Sequence, residues 1–382
     1  MKNIIFGAGS YGTELLKLLN NVAYFLDNAS EKQGIYINKI PVYPVEKILN
    51  EHDEYMIWIA SLFHDDMELQ LQDMGITKYR LFFSKKKNFG KEKELILDLF
   101  HTNIAHNDEK SWNEKIQKDD SRYSIRRTVQ KIHDRDLLFH WVEIETVNRC
   151  NGTCDFCPVS AGNDTRQKNV MSLELFKKII GELRDLNYGG YVAFFSNNEP
   201  FLDLDIQDKI KYAREQIPFA HSYLFTNGSL LSLNKLLHLL PFLDEVVIDN
   251  YTEDGSYIPL SKEIVSYYKE HPEIAEKITI CLRNPHEILT TRGGNAPNRV
   301  EIVSYPKETC VLPFRQVVIR PDGKLSLCCN DALGRYTLGD LTKERLIDIW
   351  KGKSYREIRS KINLGRGELE MCRSCDTFYP FQ

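Results

Sequence analysis

Three cysteines crowd one short stretch of this chain: Cys150, Cys154 and Cys157, in the run Asn148-Arg-Cys-Asn-Gly-Thr-Cys-Asp-Phe-Cys-Pro158. Three thiolates from one loop can hold three irons of a [4Fe–4S] cluster and leave the fourth iron open to a substrate or a cofactor. Ordinary ferredoxin clusters take four cysteines, and a structural zinc loop pairs one C-x2-4-C with a second. The x3-then-x2 spacing, with Phe156 before the last cysteine, fits neither. A second set lies further on: Cys310, Cys328, Cys329, Cys372 and Cys375. Gln316 to Leu327 reads as a hairpin turned at Pro321-Asp-Gly323, which brings Cys328 back towards Cys310. Cys372-x2-Cys375 adds two thiolates, and four cysteines from three places can close around one centre. Spacing alone leaves both zinc and iron–sulfur open for it. Cys328 and Cys329 are strand neighbours that point to opposite faces, so only one of them faces a metal.

The elements that must position these groups follow from periodicity. Residues 140–305 alternate strand runs (Val142–Val147, Tyr191–Phe195, His221–Phe225, Glu245–Ile248, Lys277–Leu282) with helical patterns (Ser172–Leu186, Asp205–Gln216, Ser232–Leu239, Ser261–Glu270). Repeated βα units predict a parallel sheet, and one series of this length suits a partial (β/α)6 barrel. Reactive groups then sit at the C-terminal ends of the strands. Those ends are polar here: Ser196-Asn-Asn198-Glu199-Pro200, Thr226-Asn227-Gly228, Asp249-Asn250, and Cys281-Leu-Arg283-Asn284. Polar groups gathered there call for a ligand, because burying them unpaired is costly. Arg283 could grip a carboxylate with both arms of its guanidinium; the plainer alternative is a surface ion pair. In Thr290-Thr-Arg-Gly-Gly-Asn-Ala-Pro-Asn298, Arg292 and Asn295 could shape a pocket, or the segment is only a turn.

The first 85 residues read strand, Gly7-Ala-Gly9-Ser-Tyr-Gly12, helix, strand, then Asp27. That is the context of a dinucleotide-type turn: Gly7, Gly9 and Gly12 allow the tight bend, and Asp27 is placed for a ribose hydroxyl. A small Rossmann-like domain can also keep such a turn for packing alone. Residues 86–139 read as a charged helical connector, with helical spacing over Lys91–Phe100 and Thr128–Leu138 and no evident chemistry. The chain has 382 residues and a formal charge of −4, which gives no electrostatic case for nucleic acid or an anionic membrane surface. No apolar run approaches the roughly 18–20 residues a membrane span needs. Nine cysteines without an export signal point to reduced or metal-bound thiols and a cytoplasmic location.

The loop resembles the cluster loop of the radical S-adenosylmethionine (radical SAM) enzymes, whose CxxxCxxC signature Cys150, Cys154, Phe156 and Cys157 match after a first barrel strand. The resemblance implies that Cys150, Cys154 and Cys157 hold a [4Fe–4S] cluster and that its open iron chelates SAM. The reduced cluster then splits SAM into methionine and a 5′-deoxyadenosyl radical, which abstracts hydrogen from a C–H bond. Asn198-Glu199-Pro200 occupies the place of the family's Gly-Gly-Glu-Pro-like motif, with the glycines replaced; it implies a Glu199 contact to the SAM amino group. Thr226-Asn227-Gly228 matches the family's motif close to SAM. Residues 306–382 resemble the appended auxiliary-cluster domain known as SPASM, or its shortened twitch form, through Gly323-x4-Cys328, Leu338-Gly-Asp-Leu341, Ile349-Trp350 and Cys372-x2-Cys375. Five cysteines favour the short form with one auxiliary [4Fe–4S] cluster on Cys310, Cys328, Cys372 and Cys375, the glycine spacing favouring Cys328 over Cys329. Residues 1–85 resemble small Rossmann-like domains at the start of sugar-modifying proteins, some of which bind nucleotide sugars.

The expected architecture is therefore α/β: Rossmann-like domain (1–85), connector (86–139), partial barrel (140–305) and a small α+β cluster-binding domain (306–382). The expected function is hydrogen abstraction from a sugar or polyol-type substrate, free or nucleotide-linked, ending in dehydrogenation or epimerisation, with flavodoxin or ferredoxin as reductant. Epimerisation needs a hydrogen donor, for which Cys281 is a candidate, although buried structural cysteine is the commoner fate. A peptide-modifying maturase and a non-catalytic, metal-stabilised binding protein are the alternatives.

Overall fold

The structure, a computed structural model, describes residues 2–101, 108–118, 121–160, 164 and 166–378. Two compact units divide them. The first holds the residues up to Lys85 together with Leu183–Tyr191 and Gln216–His221. Its strands are β1 (Lys2–Phe6), β2 (Val22–Leu26), β3 (Tyr36–Ile37), β4 (Ile40–Tyr43), β5 (Tyr55–Ile59) and β6 (Tyr79–Leu81). They lie in the order β3-β4-β2-β1-β5-β6, and β1 runs parallel to both β2 and β5. Successive strands thus build outward to both sides of β1, the doubly wound arrangement. Ile4, Ile5 and Phe6 are wholly buried, as are Phe25, Leu26, Ile57 and Ile59, so each parallel strand is covered on both faces. The two later segments join through local contacts: Phe83 N–H donates to Gly189 O at 3.2 Å, and Trp58 packs on Phe219 with centroids 4.7 Å apart.

The second unit carries an eight-stranded sheet ordered β14-β13-β8-β9-β10-β11-β12-β7. Its strands are β7 (Ile96–Asp98), β8 (Trp141–Ile144), β9 (Tyr191–Ala193), β10 (His221–Thr226), β11 (Glu245–Tyr251), β12 (Ile278–Arg283), β13 (Gln316–Ile319) and β14 (Leu325–Ser326). The sequence placed β8 to β12 correctly but missed both flanks. Lys91–Phe100 was expected to be helical; instead Ile96–Asp98 is a strand that pairs parallel with β12 and supplies the sixth barrel strand. Residues 86–139 are thus not only a connector. On the other flank β13 pairs parallel with β8, so the hairpin of the cysteine-rich segment extends the barrel sheet. Helices Glu109–Lys118 and Ser121–Ile132 lie between β7 and β8 in sequence. The helix Leu173–Asp185 buries Phe176, Ile179, Ile180 and Leu183, the single apolar stripe that a 3.6-residue period makes.

Candidate active site

The three-cysteine loop starts where β8 ends, and neighbouring strand ends hold it. Glu199 N–H donates to Arg149 O at 2.9 Å, Asp155 N–H to Pro285 O at 3.0 Å, and Cys157 N–H to Cys154 O at 3.1 Å. Cys150, Cys154 and Cys157 are of intermediate exposure. Gly152 lets them converge: a Cβ there would sit 3.3 Å from Cys150 Sγ and 4.0 Å from Cys154 Sγ. Its N–H donates to Cys150 Sγ at 3.3 Å. Burial pushes the Cys150 thiol up to about 11 and the Cys154 thiol up to about 12, each further raised by neighbouring cysteines of the loop.

The strand-end groups surround this loop, but several are already engaged. The Glu199 carboxylate is 1% exposed and accepts from Thr226 Oγ1 (2.8 Å), Asn227 N (2.9 Å) and Phe201 N (3.1 Å). It braces the ends of β9 and β10 beside Cys150, where the sequence suggested a carboxylate free to meet an amino group. Asn227 continues the brace, donating from Nδ2 to Asn151 Oδ1 at 2.9 Å within the loop. Two buried atoms remain without a hydrogen bond, Asn198 Nδ2 and Asp249 Oδ1. Burial raises Asp249 to about 6, opposed by Arg283, whose NH1 lies 3.7 Å from it. Arg283 is neither a surface ion pair nor a free cation: its Nε donates to Glu287 Oε1 at 2.7 Å, and the guanidinium lies 5.6 Å from the Tyr251 ring centroid. Asp249 and Arg283 are among the charges that act on Cys154, so this polar pair reaches the loop.

Cys281 is 0% exposed, in register between Asp249 on β11 and Leu97 on β7. That places it within the sheet, wholly buried, beside the Asp249–Arg283 pair. Arg292 points towards the strand ends, donating from NH1 to Asn197 Oδ1 at 3.2 Å from a backbone with φ of 49°, a conformation unusual for a side chain of its size. Asn295 instead ties its Nδ2 to Arg292 O at 2.8 Å within the turn.

Beyond the barrel, burial raises the Cys310, Cys328 and Cys372 thiols, and neighbouring thiols, Cys375 among them, raise each further. Cys329 has Glu143 and Arg292 as its strongest charged neighbours, with Cys375 after them. Among the described residues no three cysteine sulfurs lie within 4.8 Å of one another. Arg366, 1% exposed, stands beside these thiols and donates to Thr309 O (3.1 Å), Cys375 O (2.7 Å) and Thr377 O (2.6 Å). This buried guanidinium also has Asp376 among its charged neighbours and the Phe378 ring 4.1 Å away; a thiolate-ligated cluster beside it would be a further anion.

Residues 144–252 match the Radical SAM superfamily, and residues 310–376 match SPASM, an iron–sulfur cluster-binding domain. Residues 144–252 are thus a radical SAM domain, followed by a SPASM domain. The chain uses a [4Fe–4S] cluster with SAM, and its SPASM domain adds auxiliary iron–sulfur binding. The enzyme is 24% identical over 242 residues to the S-adenosyl-L-methionine-dependent 2-deoxy-scyllo-inosamine dehydrogenase of Niallia circulans, an alignment covering 63% of this chain and 94% of that one. The crystal structure of BtrN in complex with AdoMet and 2-DOIA superposes with a TM-score of 0.54 at 22% identity, over 63% of this chain and 94% of that one. That likeness shows the fold, including the SPASM appendage.

Two further features bear on the site. A cavity of about 590 Å³ flanks the loop at Asn148, bounded by Arg166, Lys168, Arg320 and Lys324. Asp164 pairs with Arg166 at 2.7 Å and Asp322 with Lys324 at 2.9 Å, so the positive charge of the wall is partly balanced. In the first unit a cavity of about 530 Å³ is bounded by Gly7, Gly9, Asp27 and Lys32. Asp27 accepts from Ala8 N (2.7 Å), Ala29 N (2.9 Å) and Lys32 Nζ (3.2 Å), so it braces the glycine turn itself, and a ribose hydroxyl would have to compete for it.

Sequence reasoning missed Glu143 and Glu145. Both lie in a run read only as a strand, yet Trp-Val-Glu-Ile-Glu alternates, and two acids on one face of a buried strand are themselves a signal. Burial raises Glu143 to about 7 and Glu145 to about 8.

Proposed function

We infer that this enzyme oxidises a secondary alcohol of a sugar- or cyclitol-type substrate to a ketone. The carrying observation is the pairing, in one unit, of an open three-thiol loop with a closed four-thiol pocket: one for SAM, one for the electron an alcohol oxidation releases. Cys150, Cys154 and Cys157 hold the first cluster, which, with SAM, supplies the radical that takes the carbinol hydrogen. Cys310, Cys328, Cys372 and Cys375 hold the second. The hydrogen-bonding capacity left on Asn198 and Asp249 orients the SAM methionine end. Arg283 fixes Asp249, while Glu199, Thr226 and Asn227 keep the loop in shape. The dehydrogenase relative acts on a substrate of this kind, which supports the class, and flavodoxin or ferredoxin fits the need for a low-potential reductant. Anaerobic incubation with SAM, dithionite and 2-deoxy-scyllo-inosamine or related polyols tests it: 5′-deoxyadenosine and ketone should form in equal amounts, and radical formation without ketone from any polyol rejects the reading.

A second reading, epimerisation, has one observation in its favour. Cys329 is a thiol outside the four-cysteine pocket whose neighbours Glu143 and Arg292 belong to the strand-end network. Reaction in D2O separates the two: deuterium on a recovered, inverted alcohol means epimerisation, and an unlabelled ketone means dehydrogenation.

A further inference from the structure

One buried chain of hydrogen bonds joins the strand ends to the cysteine-rich segment. Glu143 on β8 is 5% exposed. Its Oε2 accepts from Ser196 Oγ at 2.6 Å, and its Oε1 accepts from Gln316 Nε2 at 2.7 Å. Gln316 Oε1 accepts from Cys329 N–H at 3.1 Å, next to Cys328 of the four-thiol pocket. Asn197 closes the ring, donating from Nδ2 to Ser196 Oγ (3.2 Å) and to Cys329 O (2.9 Å). Arg292 lies against the same network through Asn197. A carboxylate in a strand interior is expensive unless it has a task. Here, among the described residues, it has two neutral hydrogen-bond partners and no ion pair at contact distance.

We propose that Glu143, reached through the Ser196 hydroxyl, accepts the proton that leaves the substrate oxygen, and that the Gln316–Cys329 link couples this protonation to reduction of the auxiliary cluster. The proposal rests on the dehydrogenase reading. Once the carbinol hydrogen has gone to the adenosyl radical as an atom, a hydroxyalkyl radical remains. Its O–H bond breaks, the proton passes to Ser196 Oγ as the Ser196 proton passes to Glu143, one electron goes to the auxiliary cluster, and the C–O bond becomes C=O. Proton and electron end on neighbouring groups, so each stabilises the other. The groups facing Glu143 are Ser196 after β9, Gln316 on β13, Arg292 in the turn after β12 and Cys329 after β14. Burial holds Glu143 at about 7, so near neutral pH it is available as the ionised acceptor.

The deciding measurement is an EPR-monitored redox titration of the holoenzyme from pH 6 to 9. Added SAM distinguishes the two clusters, since it perturbs only the one that binds it. In the wild type the auxiliary potential should be level below about pH 7 and grow more negative above it, because reduction then brings a proton onto Glu143. In Glu143→Gln it should be independent of pH. Gln316→Met, which cuts the link and keeps the carboxylate, should flatten the slope; it also serves if Glu143→Gln fails to retain both clusters. Equal slopes in wild type and variant overturn the proposal. With a turned-over polyol, Glu143→Gln should still release 5′-deoxyadenosine while ketone falls about a hundredfold or more, and the rise of rate with pH through about 7 should vanish. A wild type that oxidises no polyol would reject the dehydrogenase reading and leave the titration intact as a separate result.

Discussion

The two thiol sets of the second unit are built to opposite designs. The loop Cys150–Cys157 comes from one stretch of chain, keeps its sulfurs partly exposed, and is ringed by polar groups whose capacity is not all used, Asn198 and Asp249 among them. The set Cys310, Cys328, Cys372 and Cys375 comes from three places, is largely buried, and is backed by the sealed guanidinium of Arg366. In the proposed reading the first arrangement takes a small molecule at its metal and the second does not. A site that must exchange its ligand every turnover needs unsatisfied polar atoms, whereas a site that only stores an electron is better dry and charge-balanced.

That contrast is broken most directly at Cys154. Cys154→Ala should abolish 5′-deoxyadenosine release and lower iron from about eight to about four per chain, with the auxiliary EPR signal intact. Retained SAM cleavage would refute the loop's role. Cys372→Ser should do the reverse, keeping SAM cleavage while ketone formation falls by at least about a hundredfold, a loss of about 2.7 kcal/mol in transition-state terms. Arg366→Met should destabilise the holoenzyme by about 3 kcal/mol, because it removes the cation from a buried charge pair and strips three carbonyls of their donor. Urea unfolding of cluster-loaded protein measures this, and a change within about 0.5 kcal/mol, the usual range of a surface substitution, would mean Arg366 does not balance the cluster.

The smallest predicted contrast lies in the first unit. A Cβ at Gly12 would run into the Gly7 carbonyl, whereas at Gly9 it would meet nothing within 4 Å. Gly12→Ala should therefore cost about 2 kcal/mol or more and Gly9→Ala less than about 0.5 kcal/mol, read from thermal unfolding. Equal costs would mean that the turn is not held as the geometry implies.

Legibility of the sequence varied for physical reasons. The five strands β8 to β12 alternate with amphipathic helices, and such long periodic signals survive without tertiary information. Ile96–Asp98 does not: a short apolar run fits a helix or a strand equally, and only the open edge of β12 makes it a strand. Glu199 and Asp27 were legible as acids at strand ends, but a sequence cannot say whether an acid faces a ligand or the protein's own N–H groups. Arg366 gave no signal, since one arginine in a polar stretch is ordinarily solvated and its burial depends on contacts with Thr309, Cys375 and Thr377.

The chain by itself determined the chemistry: the number, type and spacing of its thiols, and the alternation that sets them at strand ends, are local properties. Tertiary structure decided which thiols and acids do what. It set Cys328 among the other thiols and Cys329 beside Glu143 and Arg292, buried Cys281 within the sheet, and brought Glu143 against Ser196 and Gln316. Those outcomes depend on which strands pair and how much water each side chain keeps, and neither is written in any short stretch of sequence.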